Sequence, residues 1–596
     1  MKDTNVWLPS CYKEGARKEV GVKSSSILSI GLLAVLALAG CGGTAPAASG
    51  SAQAPASAGS SGAAASKPAG SAATSASAAA SAAANTLRYN IGDEPESIDP
   101  AQDQDTTQDF VIVQLNATLV SPDKDLNVKP GLAEKWDISA DGVTYTFHLR
   151  SGLKWSDGSP LTAKDFEYSL KRLFDPATAS PYTDIVKGIK GAEEFFSSKS
   201  KDAAELQKLR DGVGVKAQDD STLVITLKEK EAFFLSTLFN GATAPVNQAS
   251  LEKNKDKAFD APNFVGSGPF KLQSWQHKSV MQLVPNTNYF GGAPKINLNL
   301  VMIHEPTATL AAYKNNEIDA TGATNLSAAD TNAIRNDQAY KDQLLQYTEL
   351  GSYYLQYNVT KKPFDNPKVR VAISYAIDRK SLVDKVLAGV GAPGTSLIPP
   401  GMPGHLDNVG QSFDVNKAKQ MLAEAGFPDG TGIPPNIQAS YNNLGTWPQV
   451  MQFVQANLQA IGISIQLDPR ESKTYFKEMR ENASPLFRAG WVSDYPDPDD
   501  WYRVIFKSDS SQNYGKWKND PYDKLVTQAA TEQDQAKRLD LYRQAADIMV
   551  NDPPASIWYW SGRFRLFKPY VKGIVTTGQD GGMPGKYFLK DVTLQK

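Results

Sequence analysis

A loop with four aspartates is the part of the sequence best suited to bind a charged group. Asp494, Asp497, Asp499 and Asp500 crowd the nine residues 493–501. Alternate acidic oxygens can coordinate calcium, but two prolines constrain this loop, and it lacks the glycine and the distal glutamate of an EF-hand loop. A second interpretation is a solvated acidic turn. A third is a loop in which one aspartate faces inward and meets a cation.

The residues before the loop favour the third interpretation. Residues 486–492 read Leu-Phe-Arg-Ala-Gly-Trp-Val, a largely apolar run that is typical of a buried strand. Asp494 follows this run directly, and ligands of α/β sheets bind outside the carboxyl ends of strands. Several aromatic residues flank the loop, and aromatic rings in a cleft offer apolar faces that suit varied side chains. Asp494 is therefore the candidate that meets a cation.

Other motifs fail the spacing that catalysis or cofactor binding needs. Residues 389–394 match GxGxxG, but they follow a predicted helix instead of joining a strand to a helix, so the geometry that cradles phosphate is missing. Residues 266–269 lack the spacing of a nucleophile elbow. The four histidines and two cysteines are too scattered to form a metal site. We therefore expect no catalytic residues, no metal, no cofactor and no enzymatic activity.

The composition is that of a soluble globular chain with balanced charge. The 596 residues carry 62 Lys and Arg against 64 Asp and Glu, a formal net charge of −2. A nucleic-acid-binding protein should carry a basic excess, so this balance argues against such a partner. The length is enough for several domain-sized units with large cores.

The first 85 residues are predicted to lie outside the folded body. An apolar run of thirteen residues, 27–39, follows a charged stretch, which is the order of a secretory signal peptide and is too short to span a bilayer comfortably. Small residues before Cys41 resemble the lipobox of bacterial lipoproteins, which implies a signal peptide at 1–40 and acylation of Cys41. An uncleaved anchor with a chance cysteine is the alternative. Residues 41–85, almost wholly Ala, Ser, Gly and Pro, predict a flexible tether.

The body, 86–596, alternates predicted strands and helices. Residues 437–441, 450–460 and 463–467 read as strand, helix and strand, a unit whose crossover implies parallel strands. Asn366 followed by proline predicts the start of a helix. A long helix is predicted over 533–550, and an aromatic strand over 556–560. The expected class is α/β in more than one lobe.

Five segments of the body, in their order along the chain, resemble the hallmark stretches of bacterial extracellular solute-binding proteins of the peptide and nickel type. They are 131–136 (GLAEKW), 141–150 (DGVTYTFHLR), 155–165 (WSDGSPLTAKD), 266–270 (GSGPF) and 366–379 (NPKVRVAISYAIDR). The resemblance covers essentially the whole body.

This resemblance implies a two-lobed α/β fold of the periplasmic-binding-protein (Venus-flytrap) type, with an additional domain on the first lobe. The implied limits are 86–128 with 243–347 and 565–596 for lobe I, 129–242 for the additional domain, and 348–564 for lobe II. Residues 351–359 are implied as one hinge crossing and the chain near Gly562 as its return.

Residues 488–495 resemble the peptide-binding branch of that family. There the strand pairs with an extended peptide backbone, the aspartate meets the α-amine, and the arginine can meet the carboxylate of a short peptide. Residues 178–182 resemble a segment whose tyrosine lies over the N-terminal end of the ligand. The implied ligand-binding residues are Asp494, Trp491, Gly490, Val492, Tyr182 and Arg488.

The resemblance implies a monomeric, extracytoplasmic binding protein that captures short peptides and feeds the permease and ATPase complex of an ABC importer. The lipid on Cys41 would hold it on the outer face of the cell membrane. Another solute (a nickel chelate, an oligosaccharide or a peptide-like compound) is the runner-up ligand, and a receptor that senses peptides without import is a further alternative. A surface peptidase would need a catalytic constellation that the sequence does not reveal.

Overall fold

The computed structural model describes residues 85–407 and 409–596, without the side chain of Lys473. The predicted signal peptide, the predicted lipidation site Cys41 and the predicted tether up to residue 84 lie outside this described part. Within it, no helix combines the length and the apolar character needed to cross a bilayer.

A mixed six-stranded sheet contains the strand that the sequence predicts over 486–492. Its strands, in spatial order, are Ala392–Pro393, Ala555–Leu566, Leu344–Tyr357, Leu486–Val492, Ile437–Asn442 and Ile465–Arg470. The last two strands are parallel and are joined by the helix Trp447–Gln459, so the predicted strand-helix-strand unit is confirmed. The aromatic strand predicted over 556–560 is longer than expected, because its pairing with Leu344–Tyr357 continues to Leu566.

A second sheet has four strands and builds a separate core. Its order is Thr86–Asn90, Asn297–Val301, Val280–Pro285 and Phe270–Gln276. Leu87, Tyr89 and Ile91 alternate inward from the first strand and are completely buried. They pack with residues of the other three strands and with the helix Thr106–Leu115.

A third sheet has four antiparallel strands, Ala133–Ile138, Thr144–Leu149, Thr222–Thr226 and Val215–Ala217. The helix Ala163–Leu173 packs on it through Phe166 and Leu170. This helix starts at a capping box in which Asp165 accepts a hydrogen bond of 2.8 Å from the backbone N–H of Thr162.

Two pairs of short strands complete the sheets of the described residues. They are Val120–Pro122 with Val128–Pro130, and Val571–Lys572 with Thr593–Leu594. The α-helices of eight or more residues in the described part are Thr106–Leu115, Ala163–Leu173, Ala203–Gly212, Pro306–Lys314, Ala328–Asn336, Pro367–Ala376, Val415–Glu424, Trp447–Gln459, Ser472–Asn482, Asp499–Phe506, Asp520–Thr531 and Gln535–Asn551.

Two long antiparallel strands, Leu344–Tyr357 and Ala555–Leu566, connect different cores. Leu566 packs with residues of the helices Pro306–Lys314 and Ala328–Asn336, whereas Leu355 belongs to the core of the six-stranded sheet. Their pairing is interrupted between Thr348 and Ser352. This interruption is the natural place for a bend between two lobes, while the limits of the lobes and of the additional domain stay predictions.

Candidate ligand-binding site

The strand Leu486–Val492, here called the site strand, is paired along its whole length on one side only. On that side its register with Leu344–Tyr357 runs from Leu486 to Val492. On the other side, its neighbour Ile437–Asn442 is in register with only Leu486 and Phe487. The carbonyl of Arg488 on that side accepts a hydrogen bond from the Tyr475 hydroxyl. The four residues after it, 489–492, present an open backbone edge, which can pair with an extended chain.

The direction of the backbone groups identifies which residues face that edge. The backbone N–H of Ser493 donates to the carbonyl of Leu350 at 2.8 Å, on the paired side. In an antiparallel pair, the groups of successive residues point to alternate sides. The N–H and C=O groups of Gly490 and Val492 consequently point to the open edge.

Gly490 is required by a close approach. A Cβ atom at this position would lie 2.2 Å from a ring carbon of Tyr353 and 3.1 Å from the carbonyl oxygen of Ser352. Real Cβ atoms do not come this close to a ring, so the ring of Tyr353 can cover the strand only because residue 490 is glycine.

Asp494 lies just beyond the site strand and meets Tyr182, which packs on the core of the third sheet. The Tyr182 hydroxyl is hydrogen-bonded to the Asp494 carboxylate. The backbone N–H of Asp494 donates to the Asp500 carboxylate at 2.8 Å. Partial loss of water around the carboxylate raises the pKa of Asp494 to about 6, although its side chain is still reached by solvent. The hydrogen bond from Tyr182 opposes this rise in pKa, and the charge of Asp184 adds to it.

A cavity of about 180 Å³, here called the Asp494 cavity, surrounds this pair. Its lining residues are Asp103, Gln104, Asp105, Thr106, Asp109, Tyr182, Phe239, Asn240, Val492, Ser493, Asp494, Gln579, Gly581, Lys586 and Tyr587. Three of the predicted ligand-binding residues, Tyr182, Val492 and Asp494, are thus brought together. A cation entering here meets several carboxylates and the end of the open strand edge.

Arg488 and Trp491 do not line the Asp494 cavity. The Arg488 guanidinium stacks over the ring of Trp447 at 3.8 Å and lies 5.6 Å from the ring of Tyr353. It is buried, and its Nε has no hydrogen-bond partner in the described structure. Trp491 is half-buried and packs on the core around Trp501. Their ligand contacts stay predictions.

The other three aspartates of the loop are buried. Asp497 pairs with Arg538, with one hydrogen bond of 2.7 Å, and Asp499 accepts a hydrogen bond of 2.7 Å from Arg503. Asp500 accepts from the backbone of Asp494. The loop is therefore held by internal pairs that leave Asp494 facing the cavity, so it is not a solvated acidic turn.

Several cavity residues escaped the sequence reasoning. Gln579 donates to the Ser493 hydroxyl at 3.0 Å, and Lys586 pairs with Asp109. Both come from the C-terminal segment, far from the site strand in sequence. No motif near either residue in the sequence marks it as part of a site.

Comparison with known proteins identifies the family. Residues 127–513 match the family described as bacterial extracellular solute-binding proteins, family 5 Middle. The oligopeptide-binding protein OppA of Bacillus subtilis is 31% identical over 506 residues, which cover 83% of this chain and 90% of OppA. A probable deoxycholate-binding periplasmic protein of Escherichia coli, YgiS, is also 31% identical, over 82% of this chain and 90% of its own.

Among solved structures, the murein tripeptide-binding protein MppA in its unliganded open form superposes with a TM-score of 0.74. The two are 28% identical, and the match covers 86% of this chain and 97% of MppA. This similarity confirms the two-lobed α/β fold. Because the family match spans more than half of the sequence, the chain belongs to the bacterial extracellular solute-binding proteins of family 5, which are binding components and not enzymes.

Proposed function

We propose that this chain is the lipid-anchored, extracytoplasmic substrate-binding component of an ABC importer that captures short peptides between its lobes and delivers them to the permease. The observation that carries the proposal is the open edge of the site strand, which ends at Asp494 and Tyr182. An extended backbone with a cationic amine at one end matches both features.

Main-chain pairing explains how such a site accepts many sequences. The N–H and C=O groups of Gly490 and Val492 bind backbone and are blind to side chains. Asp494 would hold the α-amine and fix the register. Arg488 is a buried cation without an ion pair among the described salt bridges, so it suits the carboxylate of a short peptide.

Closure about the crossing strands would convert binding into a signal. In the interruption of their pairing, Glu349 is buried and forms an ion pair of 2.6 Å with Arg563. A bend there would bring the lobes together around a peptide, and a hinge motion of this kind changes the surface that a membrane partner meets. The expected partner is a permease and ATPase complex, and the expected state is a monomer.

The anchor would keep the body near that partner. Acylation at Cys41 would leave a tether of 42 residues, 44–85, whose coil reach is about 35 Å. Changing Cys41 to serine should abolish acylation and release the protein from the membrane fraction. A Cys41→Ser protein that is still acylated and membrane-bound would contradict the anchor.

A solute other than a peptide is the second candidate, favoured by the name of the relative YgiS, which is as similar as OppA. Incubation of the purified protein with a pool of short peptides, followed by washing and mass spectrometry of the released ligands, separates the two. We expect intact peptides. Cleaved products would indicate a peptidase. Retention of no peptide, or co-purification of a non-peptide solute, would contradict the peptide assignment.

A further inference from the structure

The Asp494 cavity carries more negative charge than one amine requires. Its lining includes four carboxylates, Asp103, Asp105, Asp109 and Asp494, against one cationic side chain, Lys586. An ionised carboxylate in a cleft shielded from water needs an ion pair or hydrogen bonds, so we identify the partners of each of the four.

Two of these carboxylates have structural partners. Asp105 caps the helix Thr106–Leu115 by accepting hydrogen bonds from the N–H groups of Thr107 and Gln108, at 2.8 and 2.9 Å. Asp109 forms an ion pair with Lys586 and accepts a hydrogen bond of 2.9 Å from the backbone of Gly241. The proposed ligand amine would occupy Asp494, which leaves Asp103.

Asp103 is buried without a cation of its own. Only 2% of its surface is exposed, and its Oδ2 has no hydrogen-bond partner in the described structure. Its carboxyl converges with that of Asp109 on Gly241, since a Cβ there would lie 3.3 Å from Asp103 Oδ2 and 2.5 Å from Asp109 Oδ1. Burial, followed by the charge of Asp109, raises the pKa of Asp103 to about 9. Lys586 opposes the rise, whereas Asp105 and a hydrogen bond between protonated Asp103 and Asp109 add to it.

We propose that Asp103 is a second cation subsite, which gives this binding protein a preference for peptides whose first residue has a cationic side chain. The inference rests on the proposed function, because the peptide amine at Asp494 places the side chain of the first residue in the same cavity. A lysine or arginine side chain there supplies a cation with which Asp103 can pair once it is ionised.

The occupancy of the subsite is coupled to a proton. In the empty cavity near neutral pH, the Asp103 carboxyl holds a proton, which lowers the cost of burying it next to Asp109. When a lysine ammonium enters, the Asp103 carboxyl ionises, its proton passes to the buffer, and an ion pair forms. A side chain of the same length without charge leaves the proton in place.

The test compares two tripeptides that differ by one ammonium group, lysyl-alanyl-alanine and norleucyl-alanyl-alanine. Calorimetry at pH 7.5 should show the lysyl peptide binding about tenfold more tightly to the parent protein. A desolvated charge pair typically increases affinity by more than this, but part of the binding free energy is spent on removing the proton from Asp103. The lysyl peptide should also release about one proton more than the norleucyl peptide, measured in two buffers of different ionisation enthalpy.

Asp103→Asn should reduce the tenfold preference to about twofold or less and leave the affinity for the norleucyl peptide within about threefold. Asp105→Asn is the matched control, because it removes the same charge from the same cavity while asparagine remains a good helix cap. It should preserve most of the preference. The norleucyl peptide reports whether each variant is folded.

Two results would overturn the inference: equal binding of both peptides by the parent, or a preference that survives in Asp103→Asn. Either would indicate that Asp103 merely shares its proton with Asp109 as a structural pair. These outcomes leave peptide binding intact. If the parent binds neither tripeptide, nor any other short peptide, the proposed function itself fails.

Discussion

Replacing Asp494 by asparagine should weaken the binding of a peptide with a free α-amine by about 30- to 4000-fold. The α-amine is cationic near neutral pH, with an unperturbed pKa of about 7.7–8.0. Enclosed between two lobes it loses much of its water and needs an ionised partner. Truncating one partner of a buried charge pair typically costs about 2–5 kcal/mol, which corresponds to that range of affinity.

The structure indicates that charge alone is lost in this variant. With a pKa of about 6, Asp494 is ionised to roughly 97% at pH 7.5, so little free energy is spent on ionising it before binding. Asparagine keeps the side-chain size and an oxygen that can accept from the Tyr182 hydroxyl. The bond from the backbone N–H of residue 494 to Asp500 does not involve the side chain that changes. The fold should therefore survive.

The assay is a double-mutant cycle by calorimetry, with one peptide in free and N-acetylated form against the parent and Asp494→Asn. The acetylated peptide should bind the parent poorly and lose little more in the variant, because both changes remove one interaction. Asp137→Asn, at an exposed aspartate of the third sheet, is the control and should bind like the parent. If the coupling energy is near zero, Asp494 only shapes the loop and the reasoning is refuted.

Four further outcomes follow from the same geometry. Gly490→Ala should place a Cβ against the ring of Tyr353, lowering stability by about 1–3 kcal/mol and weakening peptide binding; an unchanged melting point and affinity would contradict the close approach. Binding needs the ionised form of Asp494, so affinity should fall about tenfold per pH unit below about 6, and a flat profile from pH 7 to 4.5 would count against it. Asp497→Asn should lower the free energy of unfolding by about 3–5 kcal/mol, because the buried Arg538 loses its partner; denaturant titration that shows no change would remove this pair from the account. A peptide at 100 times its dissociation constant should add about 2.7 kcal/mol of apparent stability and make the protein more compact in small-angle scattering, whereas unchanged values of both would exclude closure.

Local elements were predictable because their signals are local. Asn366 caps the helix Pro367–Ala376 through a hydrogen bond to the N–H of Lys368, as its position before proline predicts. The helix predicted over 533–550 is Gln535–Asn551, with Asp534 as its cap. Alternating apolar residues predicted strands, because a strand with one buried face carries an apolar residue at every second position.

The assembly of the cavity was not predictable from one sequence. Asp494 could be identified because it follows an apolar strand. Tyr182 has no such local signal, and only the family resemblance placed it near the same ligand. The pairing of Asp109 with Lys586 joins the two ends of the body, and contacts of that separation leave no periodicity to read. The placement of Arg488 over Trp447, away from the Asp494 cavity, likewise depends on how separate elements pack.

The central claim is that a ligand backbone pairs with the open edge of the site strand, and hydrogen–deuterium exchange tests it most directly. Exchange should be followed in fragments that cover residues 486–493, with and without a saturating short peptide. We predict that the peptide slows exchange at the amides of Gly490 and Val492, which point to the open edge, while the already paired N–H of Ser493 changes little. Saturation by a peptide that leaves the Gly490 and Val492 amides exchanging as before would contradict the account.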